Sequence, residues 1–261
     1  MRSELKITIA QKGGKSILED RYFTPPFKII ALPHLPGSSR LELMLMSASP
    51  GMLNKDRWNI QINAGSHTDC RLSTQSYQRL FPAPDGTFQH MEINLSSNAQ
   101  FEYLPHPLVP HHAANFKGYN NIFLSAGNRF IFGEVITPGR QLNGETFQFE
   151  RLQNCTQVYL HQQLIFKDNQ ILIPGKIPMS ATGQYENYTH QGTFLYFDTS
   201  ASPQLPIEAC YKYLQQGKLE FGISESSKNG MVARILGHSA ESLFRVLQEL
   251  SSITKLKTTA I

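Results

Sequence analysis

The sequence predicts an all-β-dominated fold that ends in a small two-helix part. Three observations predict it. Short segments alternate apolar and polar residues along most of the chain. Turn signals built on Gly, Pro and Asn separate them about every ten residues. Stretches with a helical apolar period occur only near the C-terminal end. Charged residues make up only 17% of the 261 positions, below the usual quarter, and Gln, Asn, Ser and Thr supply the remaining polarity. That mixture suits solvated strand faces.

The elements follow in order. "LKITIA" (5–10) alternates and meets a Lys-Gly-Gly turn. "LELMLMSA" (41–48) places Leu41, Leu43 and Leu45 on one face and Met44 and Met46 on the other, so both faces can be covered. "WNIQINAG" (58–65) and "HMEINLSS" (90–97) repeat the period of two. "NIFLSAGNRFIFGEVI" (121–136) reads as two strands around an Ala-Gly-Asn turn. "ETFQFERL", "TQVYLHQQLIFKDNQILI" and "GTFLYFD" continue the strand pattern, and "SATGQYENYTHQ" (180–191) reads as an exposed loop. Residues 206–217, with a leading proline and a trailing glycine, predict a short helix. Residues 239–253 predict a stronger one: Ser239 can cap its start, and Leu243, Val246, Leu247, Leu250 and Ile253 form one apolar stripe. Between the helices, a hairpin is expected around Asn229-Gly230. The whole reads as one domain, with residues 1–203 as the β body and 204–261 as helix, hairpin and C-terminal helix. Periodicity alone leaves sandwich, barrel and β-helix open.

Totals exclude several functions. The net charge is +4, but Lys and Arg are spread along the chain rather than gathered on one stripe, so a nucleic-acid partner is not expected. No apolar run approaches the roughly 18 residues that span a bilayer, and the N-terminal end lacks a secretory h-region. A soluble, cytoplasmic protein without a membrane partner is the expectation. Cys70, Cys155 and Cys210 are scattered without zinc spacing and read as small buried hydrophobes.

No nucleophile elbow, P-loop, dinucleotide fingerprint or HExxH motif is present. Carboxylates occur as spaced singles, among them Asp56, Glu134, Glu145 and Glu150. Two of them facing across a groove would suit a carbohydrate-active enzyme on a β scaffold, which stands as the alternative function.

"YFTPPFKII" (22–30), "SPGML" followed by Asp56, "STQSYQRL" (73–80), "EYLPHPLVP" (102–110), "GEVITPGR" (133–140) running into "GETFQF", and "GMVARILG" (230–237) form an ordered set. Together they resemble the urease accessory protein family UreD, called UreH in some bacteria. The resemblance implies a β-helix-like stack of strands with a small two-helix C-terminal part. It also implies a non-catalytic scaffold that assembles with a UreF-like protein and a UreG-like GTPase, docks on the urease apoprotein and helps pass nickel to its active site. Nickel would be cargo in transit through a water-filled passage, not a tightly bound cofactor.

The matched fragments carry the candidate metal contacts. Asp56, Glu134 and Glu145 lie within them, and a carboxylate on the passage wall can briefly hold a hydrated cation. Arg140 between Glu134 and Glu145 would instead form a satisfied ion-pair network. The family usually has glycine where Lys55 stands, so a positive φ there would cost a lysine roughly 1 kcal/mol or more. The segment 101–116 adds His106, His111 and His112, and imidazole suits Ni²⁺. Along an extended strand, however, His106 and His112 lie roughly 20 Å apart, at ~3.3 Å per residue, with His111 on the other face. The prolines around them favour a stiff strand edge over a shared metal, so the histidines are the weaker candidates.

Overall fold

The computed structural model describes residues 1–34, 36–200, 205–217 and 219–256. They form 17 strands and two α-helices. The first strands are β1 (Arg2–Lys12), β2 (Lys15–Phe23), β3 (Phe27–Ala31), β4 (Leu41–Ser47), β5 (Arg57–Ala64) and β6 (Asp69–Thr74). Next come β7 (Gln78–Leu80), β8 (Thr87–Leu95), β9 (Gln100–Leu104), β10 (Leu108–Pro110), β11 (Asn115–Leu124) and β12 (Arg129–Ile136). β13 (Arg151–Leu160), β14 (Gln163–Leu172) and β15 (His190–Asp198) complete the β body. α1 (Ile207–Gln215), the hairpin β16 (Glu220–Ser226) and β17 (Gly230–Gly237), and α2 (Ala240–Leu256) follow. The predicted β-rich class with two late helices is the observed one.

Two sheets face each other. The first runs β14-β13-β11-β8-β5-β1-β2, and the second β16-β17-β15-β12-β9-β6-β4-β3. From β4 to β13 the chain alternates between them, and each long strand lies parallel to the preceding one in its sheet. Parallel neighbours bring like side chains into register. Ile7, Ile62, Ile93, Ile122 and Val158 form one inward row across the first sheet, all almost fully buried. β-Branched residues favour extended backbone and pack flat on a pleated surface, so the row drives both strand formation and stacking. The edges are antiparallel hairpins.

The two strands read around the Ala-Gly-Asn turn are present, and the turn carries the chain from β11 in one sheet to β12 in the other. One detail differs from the sequence reading. "ETFQF" is not a strand. Its alternation arises because Phe147 and Phe149 drop from an irregular loop, with the Phe147 ring set against Phe149 and Tyr185. Phe147 itself has a φ of 52°, which breaks any strand.

The helices cover the outer face of the second sheet. Leu243, Leu247 and Leu250 of α2 join Ile131, Val135, Phe194 and Ile235 in a second core. β15 is consequently buried on both faces. Gly133 makes the close approach possible, because a Cβ there would strike Leu104 and Leu247. The Ser242 N–H donates to Ser239 Oγ at 3.4 Å, the expected cap. The predicted hairpin turn is present, with Lys228 and Asn229 both at positive φ. Among the described residues no helix is long and apolar enough to cross a membrane.

Candidate functional site

The inward rows do not stay apolar. Leu5, Ile60 and Met91 are continued laterally by Asn120, Thr156 and Asp168. The next row runs Trp58, Gln89, Gly118, Asn154 and Gln170. Across from them, the second sheet places Glu134, Thr193 and Arg234 side by side on β12, β15 and β17. A polar seam therefore crosses the space between the sheets at one level, flanked by aliphatic packing. Gly118 makes room for it: a Cβ there would meet Asn154 Oδ1 and the Phe116 ring.

Small cavities follow the seam. One of about 40 Å³ is lined by Tyr103, His106, Asn120, Glu134 and Asn154 among others; at roughly 10–15 Å³ per water it has space for two or three. A second, of about 110 Å³, lies beside Trp58, Thr74 and Tyr77. The two share Gln78, Gln89 and Tyr103, and Gln78 Nε2 donates to Gln89 Oε1 at 2.8 Å where they meet. Toward β14 and β16 an open groove of about 520 Å³ is lined by Asp168, Gln170, Tyr185, Gln191, Glu220 and Arg234.

Glu134 is the chemical centre of the seam. It accepts a hydrogen bond from Asn154 Nδ2 and keeps part of its surface free because it lines the inner cavity. Burial pushes its carboxyl up to about 7, Asp168 nearby pushes the same way, and Arg234 opposes them. Near neutral pH it therefore exchanges readily between acid and carboxylate. The neighbouring Tyr103 phenol is driven well above its ordinary value by burial, then by Glu134, and stays neutral. The seam thus offers neutral amide, phenol and hydroxyl oxygens around one carboxylate of adjustable charge. Such oxygens suit a cation that keeps part of its water shell.

The six predicted residues do not gather in one place. Glu134 and His106 line the inner cavity. The backbone N–H of His106 donates to Thr74 Oγ1 at 2.8 Å, its Nδ1 lies 3.0 Å from the same oxygen, and its ring stacks on Phe244. His111 is buried with its ring 4.7 Å from Phe81; burial, then Arg140, holds its pKa down. His112 is exposed. Glu145 lies in the loop before β13, where Arg140 grips both its oxygens and the His112 N–H donates to it. That arrangement, led by the Arg140 bond, lowers its pKa to about 2. The network expected around Arg140 thus contains Glu145 and leaves out Glu134. Asp56 is buried, 2.8 Å from the Met1 ammonium, and accepts from the Leu53 N–H at 2.8 Å. Lys55 does take a positive φ, 68°.

Asn120, Asn154, Asp168, Tyr185 and Arg234 escaped the sequence reading. The signal was available for two of them. Asn120 interrupts the inward series Phe116, Gly118, Ile122, and Asn154 sits between Leu152 and Val158. Tyr185 came from the segment read as an exposed loop, yet it is buried against Phe147.

A family model described as UreD urease accessory protein matches residues 1–260. The chain belongs to the UreD family. A urease accessory protein UreD from Flavobacterium johnsoniae is 38% identical over 252 residues, covering 96% of this chain and 91% of that protein. A UreD from Acetivibrio thermocellus is 32% identical over 253 residues, 96% of each. A urease accessory protein UreH from Helicobacter hepaticus is 32% identical over 240 residues, 92% of each. The UreD family places the chain among the accessory proteins of urease.

Proposed function

We propose that this chain is a non-catalytic maturation factor that passes nickel toward the active site of urease, and that the polar seam is the route. It would act with a UreF-like protein and a UreG-like GTPase while docked on the urease apoprotein, in the cytoplasm. The observation that carries the reading is the seam itself. A sandwich of this kind is most stable with an apolar interior, and burying Glu134, Asn120, Asn154 and Thr156 between its sheets costs free energy that function must justify.

Of the six candidate contacts, Glu134 and His106 fit a route, because both line the inner cavity. Asp56 and Glu145 fit positioning roles, since each is committed to a cation and a backbone N–H. Nickel is cargo: single carboxylates and amide oxygens attract a hydrated ion weakly enough to release it, whereas an imidazole cluster would retain it. Among the described residues no three His, Cys, Asp or Glu side chains converge on one point. The carbohydrate-active alternative gains no support from the seam, because a space of about 40 Å³ beside Glu134 is too small for a sugar ring.

The test is co-expression with urease and its accessory proteins. The chain should co-purify with the UreF-like and UreG-like proteins and with urease. Glu134→Gln should leave that assembly intact and lower the nickel content of urease at least fivefold. A chain that captures none of these partners would sink the reading.

A further inference from the structure

The seam ends toward the open groove at a cross-sheet tie. Arg234 on β17 donates to Asp168 Oδ2 on β14 at 2.5 Å. Gln170 Nε2 donates to the same carboxylate oxygen at 3.1 Å, and Gln191 Nε2 reaches across from β15 to Gln170 Oε1 at 2.7 Å. Arg234 is two strands from Glu134 in one lateral row, with Thr193 between them. Among the described residues, two hydroxyls here have no hydrogen-bond partner although they are buried: Tyr185 OH, at 2% exposure, and Thr193 Oγ1, at 4%. Tyr185 lines the groove, and its phenol responds to both Glu134 and Arg234.

The charges balance only while Glu134 holds its proton. Once Glu134 ionises, it and Asp168 supply two carboxylates against the one cation of Arg234. A buried hydroxyl without a partner costs on the order of 1–3 kcal/mol, so two such groups beside an under-compensated carboxylate pair describe a site built for an occupant. The occupant must be cationic and must accept oxygen ligands. Arg234 meets only the first requirement: its N–H goes to Asp168 and neither hydroxyl oxygen receives one, and because a guanidinium cannot be deprotonated it can vacate only by moving. Its side chain is 41% exposed and opens onto the groove, which gives it somewhere to go.

We infer that Glu134 and Asp168, with the hydroxyls of Thr193 and Tyr185, form a holding station for one hydrated divalent cation, and that Arg234 is its gate, a tethered counter-cation that fills the station at rest. Displacing Arg234 into the groove frees Asp168, and a divalent ion then neutralises the two carboxylates while keeping waters in its remaining positions. The ion's passage and the guanidinium's swing are one exchange, so the seam admits one cation at a time. The inference rests on the proposed nickel route for the identity of the cargo, but the station is defined by this chain alone.

The experiment measures Ni²⁺ binding to the purified full chain by calorimetry, without urease. Arg234→Gln removes the competing cation and should bind Ni²⁺ at least tenfold more tightly than the parent. Adding Asp168→Asn in that background should return binding to the parent level or below. Arg234→Lys keeps the charge but not the fork, and should fall between; it stands in if the glutamine variant does not fold. A structural tie predicts the opposite pattern, a lowered melting temperature with no gain in affinity. Affinities within twofold of the parent for the folded Arg234 variants overturn the gate. If Glu134→Gln abolishes nickel loading of urease while the Arg234 variants bind like the parent, the route stands and the gate falls. If the Arg234 variants gain affinity while Glu134→Gln leaves nickel loading unchanged, the station stands and the delivery reading falls.

Discussion

At the scale of single residues, Glu134 carries opposing demands. Its pKa of about 7 lies above the ordinary 4.5 of a free glutamate. Between those values the unfolded chain has lost the proton that the folded chain keeps, so folding stability declines as pH rises from about 4.5 to 7 and is level beyond. Glu134→Gln can still accept from Asn154 and carries no charge to bury. It should be more stable than the parent at pH 8, by on the order of 2 kcal/mol, and equal to it near pH 4. Thermal melts at the two pH values check this, and a variant less stable at both would refute the buried-carboxyl account. Lys55 offers a simpler case. Its φ of 68° places an L side chain in the left-handed region, so Lys55→Gly should raise stability by about 1 kcal/mol in denaturant titration. That strain was legible in sequence, because the family pattern has glycine there. The separation of His106 from His112 was legible too, from spacing and proline content. The different fates of Glu134 and Glu145 were not, because eleven positions along the chain do not reveal which residue faces between the sheets and which sits in a loop.

At the scale of elements, α2 is fastened by two kinds of contact. Its stripe is buried, with Leu247 at 1% exposure. Leu247→Asp would place a charge in that interface and cost roughly 4 kcal/mol or more, enough to remove soluble protein from expression trials. A soluble variant with parent-like melting would show that the helix has no core role. Near its C-terminal end the fastening is ionic. Glu102 on β9 is buried and meets Lys255 at 2.5 Å, Ser251 Oγ at 2.7 Å, Arg40 at 3.4 Å and Arg71 at 3.7 Å. Burial raises its pKa, but Lys255, Arg71 and the Ser251 hydroxyl outweigh it and hold the value below 4.5. The contribution is therefore present above about pH 4.5 and lost as pH falls through the lower folded value. Glu102→Gln should be less stable than the parent at pH 7 by about 2 kcal/mol, since the three cations keep some water contact, and should converge with it once pH has fallen through that lowered folded value. Protection of α2 amides from hydrogen exchange reads this locally. The helix was plain in the sequence because a 3.6-residue stripe is a local signal. Glu102 was not singled out, because its partners come from three distant segments.

At the scale of the whole molecule, the fold and the seam are separable. Strand stacking follows from the aliphatic rows, and those are visible as alternation in the sequence alone. The seam arises only when strand registry brings Asn120 beside Thr156 across a parallel pair and Asn154 beside Gln170 across an antiparallel one, a relation between strands more than 30 residues apart in the case of Asn120 and Thr156. A sequence read segment by segment sees an ordinary polar residue at each position. This separation can be tested directly. Asn120 Nδ2 donates to Thr156 Oγ1 at 3.0 Å, and both side chains are buried. Replacing both partners with apolar groups of similar shape removes the bond without leaving either group unsatisfied, which is commonly neutral or stabilising. Asn120→Leu with Thr156→Val extends the aliphatic row by two positions. The double variant should fold, melt within a few degrees of the parent or above it, and still assemble with its partners. It should nonetheless load urease with markedly less nickel, because the inner cavity beside Glu134 would then be dry on one wall. Full nickel loading by a well-folded double variant would mean that cargo does not travel between the sheets, and that the seam serves some end other than transit.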